Sequence, residues 1–138
     1  MSALTSLLST LPEGNLPKWL LFVASLGIFN SVQNFVTDAL SKRVYAAKPA
    51  EVTPLAGRMF ATWTMSVSMI RIYAAFHINE RVMYHLAIGT YSIALMHYLL
   101  ELLVFRTCKF NGPFLSPFIV ATTSLGWMFS QYDFYVKA

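Results

Sequence analysis

His97 and Glu101 are the pair in this sequence whose types and spacing could do chemistry, because residues four apart stand one above the other on a helix face. Such a pair suits a metal ligand set or a proton relay. His85 precedes His97 by 12 residues, about 18 Å at helical rise, so the two cannot share an ion. With three histidines in the chain, a histidine-box iron site lacks its ligands. No Gly-rich phosphate loop, dinucleotide fingerprint or Ser-His-Asp framework is present. Cys108, the single cysteine, has no partner for a disulfide or a thiolate metal site. It lies beside an expected helix end, where its plain reading is an interfacial thiol and its sharp reading an S-palmitoylation site.

Two arginines are the other unusual groups. Arg58 and Arg71 sit in the apolar stretch Leu55 to Ile78. A charge at the centre of a membrane helix costs about 2.5 to 3.5 kcal/mol on insertion scales, so each must face a bundle interior or reach an interface.

The surrounding chain must position these groups within a bilayer. Its 138 residues are 57% hydrophobic and 12% charged, against about 45 to 50% apolar and about 25% charged in soluble domains. The mean hydropathy is +0.55. Apolar residues recur in blocks divided by Pro, Gly and charged clusters, so the expectation is an all-α, polytopic membrane protein. Four transmembrane helices form a small antiparallel bundle in a single membrane domain, leaving no length for a soluble catalytic domain. The net charge of +4 is spread over loops, which fits an anionic leaflet and argues against nucleic acid.

Residues 1 to 17 read as a short interfacial segment, with Leu4, Leu7, Leu8 and Leu11 at helical spacing and no basic signal-peptide region. Pro12, Gly14 and Pro17 end it. The spans are expected at about residues 19–39, 55–78, 82–105 and 114–131. Asp38 to Pro54 is the longest polar connection, and Asn79, Glu80 and Arg81 turn the second span into the third. Lys42, Arg43, Lys48, Arg58, Arg106 and Lys109 lie at the first and third connections, against Lys18, Arg81 and Lys137 on the other side. The positive-inside rule then makes those connections cytosolic and both termini lumenal or external.

Reflecting positions through the turn near Glu80 brings Arg58 close to Glu101 and Arg71 level with Thr90. Arg58 and Glu101 are therefore the expected ion pair. Asn30, Asn34, Thr62, His97, Thr122 and Thr123 fall at a similar depth, a structural polar layer that satisfies buried groups and fixes helix register. Arg71, the second intramembrane charge, maps near Tyr91, Ser130, Gln131 and Asp133, where it reaches the opposite interface or pairs with Asp133.

The order of several short stretches resembles the ergosterol biosynthetic protein 28 family, closest to its fungal members. The matching stretches are Pro17-Lys18-Trp19-Leu20-Leu21-Phe22, Phe29-Asn30-Ser31-Val32-Gln33 and Gly57 to Thr64 with Ile70-Arg71. His97, Glu101 to Lys109 and Thr122 to Met128 continue the match. Gly57 and Ala61 exchange the Ala and Gly expected at those positions.

The resemblance implies a multi-pass protein of the endoplasmic-reticulum membrane with no catalytic residue and no cofactor. It would hold together the sterol C-4 methyl oxidase, the sterol-4-carboxylate 3-dehydrogenase (decarboxylating) and the 3-keto sterol reductase, with the sterol C-24 methyltransferase often associated. The bilayer is a further partner, and homo-oligomerisation is left open by the residues. Two other classes compete: a sterol-binding carrier, and a small membrane enzyme using the His97 and Glu101 layer.

Overall fold

A computed structural model describes residues 2–136. Met1, Lys137 and Ala138 lie outside the description, as do the side chains of Ser2, Leu4 and Leu7. The interfacial face expected from Leu4 and Leu7, and the interfacial place of Lys137, therefore fall outside the described residues.

Every described element is helical. α1 (Ser2–Leu8) leads to α2 (Leu16–Val36), α3 (Ala39–Val44), a single 3-10 turn (Pro49–Glu51), α4 (Pro54–Phe76), α5 (Arg81–Leu103), α6 (Gly112–Ser130) and α7 (Tyr132–Tyr135). Helix starts follow local chemistry. α2 begins at Leu16 rather than Trp19, because Pro17 sits in the first turn, where its missing N–H costs no helical bond. Thr53 Oγ1 accepts from Ala56 N at 3.1 Å, and Asn111 Oδ1 from Phe114 N at 2.9 Å, so α4 and α6 each start on a side-chain cap. Arg106, at φ 57°, turns the chain at the end of α5, and Thr107 N donates to Glu101 O at 2.8 Å. Gly14, at φ 105°, makes the turn into α2 with the Tyr135 ring pressed against it.

The four long helices run antiparallel. α2 lies along α4 through a seam of small residues: Ala24, Gly27 and Ser31 face Gly57, Ala61 and Ser68. A Cβ on Gly27 would collide with Ser68 Oγ, and one on Gly57 would come within 3.4 Å of Asp38 Cβ. Close backbone approach through small residues is how helices associate in hydrocarbon, where there is no hydrophobic drive between them. α5 packs on α4 and α6, and the Tyr84 hydroxyl donates to Met128 O at 2.5 Å. Trp19 Nε1 donates to Ser124 Oγ at 2.8 Å, joining α2 to α6.

Two core clusters form, one at each end. Leu16, Leu20, Ala75, Tyr84 and Tyr135 belong to the first, and Val44, Tyr98, Cys108 and Phe114 to the second. The outward surface is apolar as well, carrying Phe22, Phe29, Met59, Met69, Ile93 and Phe129. α2 and α5 are long and apolar enough to cross a membrane. α4 and α6 are not in that set: two arginines and several hydroxyls dilute α4, and Gly, Pro, Ser and Thr dilute α6.

Candidate functional site

The expected polar connection from Asp38 to Pro54 is in part a folded cap. α3 turns its Ser41 and Val44 face onto the bundle, and Asn34 Oδ1 accepts from Ser41 Oγ. Tyr45, just past α3, reaches across to α5. Its hydroxyl lies 2.6 Å from His97 Nε2. Burial pushes the Tyr45 phenol well above its ordinary value, so it keeps its proton, and the imidazole tautomer sets the direction of the bond. The rings of Tyr45, Trp63 and Tyr98 surround His97 with centroids 5.8, 5.4 and 5.2 Å away.

Glu101, one turn further along α5, accepts from Thr107 Oγ1 at 2.6 Å. The expected Arg58 to Glu101 ion pair does not form. Arg58 is exposed on α4, and the carboxylate is engaged by the turn that follows its own helix. Local closure at Arg106 brings Thr107 back over Glu101, which reflection through a distant turn cannot anticipate.

The other members of the expected layer scatter. Asn34 is buried, with Nδ2 donating to Asn30 O at 2.8 Å. The Asn30 side chain is exposed. Thr62 and Thr122 also face outward and satisfy their hydroxyls on their own helices, at Arg58 O and Phe118 O. Thr123 is exposed. Only Asn34, His97 and Glu101 turn inward, and their side-chain partners Ser41, Tyr45 and Thr107 come from α3 and the adjoining connections. Reasoning from sequence missed Ser41, Tyr45 and Thr107. The signal for the first two was the run Leu40, Ser41, Val44, Tyr45, which puts one face of a short helix toward the bundle.

Arg71 does not pair with Asp133, which is exposed. It is buried at 8% exposure, with Nε donating to Thr90 Oγ1 at 3.0 Å and Cζ 3.9 Å from the Tyr91 ring centroid. His85 is exposed and hydrogen-bonded to the Tyr132 hydroxyl at 2.6 Å. Among the described residues, no three His, Cys, Asp or Glu side chains cluster as metal ligands. Cys108 is buried within the protein, and burial pushes its thiol up to about 11.

A groove of about 510 Å³ opens between α4 and α5 beside this cap, lined by Tyr45, Met59, Trp63, Met96, His97 and Glu101 among others. A second cavity, of about 270 Å³, lies inside the bundle between the two core clusters and reaches Arg71.

Comparison with known proteins decides the family. The model of the family described as Erg28 like protein matches residues 16–126. The chain belongs to this family. It is 45% identical over 129 residues to ergosterol biosynthetic protein 28 of Saccharomyces cerevisiae, covering 93% of this chain and 87% of the relative. The Candida albicans protein of the same name is 45% identical over 124 residues, 90% of each chain. The Mus musculus homolog is 35% identical over 111 residues, 80% of this chain and 79% of the relative. No solved structure matches. The Erg28 stretch takes in α2, the α3 cap, α4, α5 and most of α6, so the Tyr45 to His97 contact and the Arg71 cavity lie within the family region.

Proposed function

We propose that this chain is a non-catalytic scaffold of the endoplasmic-reticulum membrane that tethers the enzymes of sterol C-4 demethylation. Those partners are the C-4 methyl oxidase, the sterol-4-carboxylate 3-dehydrogenase (decarboxylating) and the 3-keto sterol reductase, with the C-24 methyltransferase. In this reading all four long helices cross the bilayer, with α3 and the α5 to α6 turn on the cytosolic side.

The observation that carries it is the outward placement of polar side chains on a greasy surface. Asn30 and Thr123 are exposed on α2 and α6, with no side-chain hydrogen bond among the described residues. An amide or hydroxyl facing hydrocarbon unpaired is costly, and a partner helix supplies the missing bond. The exposed surface also offers Phe29, Met59, Met65, Met69 and Met96, and flexible thioethers adapt to several partners. Holding sequential enzymes together raises the effective concentration of each intermediate without any chemistry by the scaffold.

The test is purification in mild detergent with mass spectrometry of what accompanies the chain. All of the C-4 enzymes should be recovered, and deletion should cause C-4 methylated or 4-carboxy sterols to accumulate while each enzyme stays active alone. Turnover of a sterol by the purified chain overturns the reading. Tags at Lys48 and Asn111 should both be reached from the cytosol, and protection of either overturns the orientation.

The groove beside His97 favours one rival, a sterol carrier, since about 510 Å³ lies within the usual range of ligand sites. Sterol recovered with the purified chain in place of the enzymes would favour it.

A further inference from the structure

Arg71 is a buried cation with too little to hold it. A guanidinium offers five N–H donors, yet Thr90 takes one and the Tyr91 face is the other contact. The six acidic residues are all elsewhere. Asp38 pairs with Lys42, Glu51 with Lys48 and Glu80 with His77, Glu101 is bonded to Thr107, and Glu13 and Asp133 are exposed. An uncompensated buried charge is strongly destabilising, so an anion from outside the chain is the missing member.

The space for it is in place. The cavity of about 270 Å³ is bounded by α2, α3, α4, α5 and α6, and on α4 it runs from Phe60 to Arg71, about 16 Å at helical rise. Its walls are mostly apolar, including Val23, Val67, Ala94 and Ala121, and Arg71 is the only Lys, Arg or His among its lining residues. It opens to the outside between α2 and α6, at Leu26, Asn30 and Ser116, which line it and are exposed.

We infer that this slot binds a single-chain monocarboxylate, with the carboxylate on Arg71 and the apolar chain along α4 toward Phe60. A lone guanidinium matches one carboxylate, which accepts two parallel N–H bonds. An apolar cavity of about 150 Å³ holds the six carbons of benzene, so the slot takes about eleven carbons. A two-chain phospholipid is too bulky for that volume, and a partner helix, about 10 Å across, is too wide. The inference does not rest on the scaffold reading: a scaffold with an empty slot and a non-scaffold with a filled one are both distinguishable outcomes.

The test uses the full chain in nanodiscs of phosphatidylcholine, with empty nanodiscs as background. Radiolabelled dodecanoate should show one saturable site per chain, displaced by unlabelled dodecanoate and by neither dodecanol nor acetate. Arg71→Gln should weaken binding about tenfold or more, the range for hydrogen bonds to a charged group. Val67→Phe, which fills the slot and leaves Arg71 in place, should abolish saturable binding with the melting transition retained. Absence of a saturable site in the unaltered chain overturns the inference, as does equal displacement by acetate or dodecanol. Full affinity in a folded Arg71→Gln chain overturns it too. Should Arg71→Gln not fold, binding retained by Val67→Phe overturns it.

Discussion

The Tyr45 hydroxyl and His97 Nε2, 52 residues apart in sequence, meet at 2.6 Å and fasten the α3 cap to α5. Tyr45→Phe removes the hydroxyl and leaves the ring packing on Phe60 and His97. It should cost about 1 kcal/mol, the net worth of one neutral hydrogen bond, read as a lowered melting temperature in detergent. His97→Ala should cost more, since ring packing is lost as well, yet leave sterol flux intact wherever protein abundance and partner recovery are unchanged. Flux lost with the complex assembled would place chemistry at His97.

Glu101 and Thr107 should be coupled energetically, and Glu101 and Arg58 should not. A hydrogen bond to a carboxylate is worth about 1.5 to 3 kcal/mol, so a double-mutant cycle of Glu101→Gln with Thr107→Val should give a coupling of that order, reduced because the site is half-buried. The matching cycle with Arg58→Gln should give a value near zero, as expected for groups without a shared contact. Coupling of Arg58 equal to that of Thr107 would contradict the observed geometry.

Gly27→Ala should destabilise the α2 to α4 seam by about 1 to 3 kcal/mol, the usual cost of overpacking, because its Cβ runs into Ser68 Oγ. Ser68 Oγ is buried with no hydrogen-bond partner, so Ser68→Ala alone should be nearly neutral. Combining the two should recover most of the loss. Thermal melts of the four chains decide it, and additive losses would argue against the close approach.

Cys108 should resist thiol reagents. At a value of about 11 it carries on the order of a hundredfold less thiolate near neutral pH than an ordinary cysteine. Maleimide labelling from pH 7 to 9 should be slow beside that of an exposed thiol placed by Lys109→Cys in a Cys108→Ala chain. The sign for stability follows from the raised value. The folded state holds its proton more tightly than the unfolded chain, so this contribution is full below about pH 9 and is lost as pH rises through about 11. Fast labelling of the folded chain at pH 7 would contradict the burial.

Levels along the helices were legible in the sequence, and faces were not. Reflection through the Glu80 turn set Arg71 beside Thr90, and the Nε to Oγ1 bond at 3.0 Å is that contact. Helical rise is constant, so a short turn fixes which residues share a depth. The all-helical class and the family were legible for a similar reason, since both rest on composition and on the order of residues.

What only the tertiary structure decided was direction around each axis. The sides of these helices are nearly equally apolar: Phe22, Met59 and Ile93 point out while Ala24, Ala61 and Ala94 point in. With both sides apolar, hydrophobicity cannot mark the inner face, and residue size does so instead. Depth alone therefore gathered Asn30, Thr62, Thr122 and Thr123 into a layer with Asn34, His97 and Glu101, although the first four face outward. It also paired Arg58 with Glu101, whose carboxylate is bonded to Thr107. Contacts made by Tyr45 and Thr107 depend on how two connections fold back onto the bundle, a matter of three-dimensional closure that spacing along the chain does not contain.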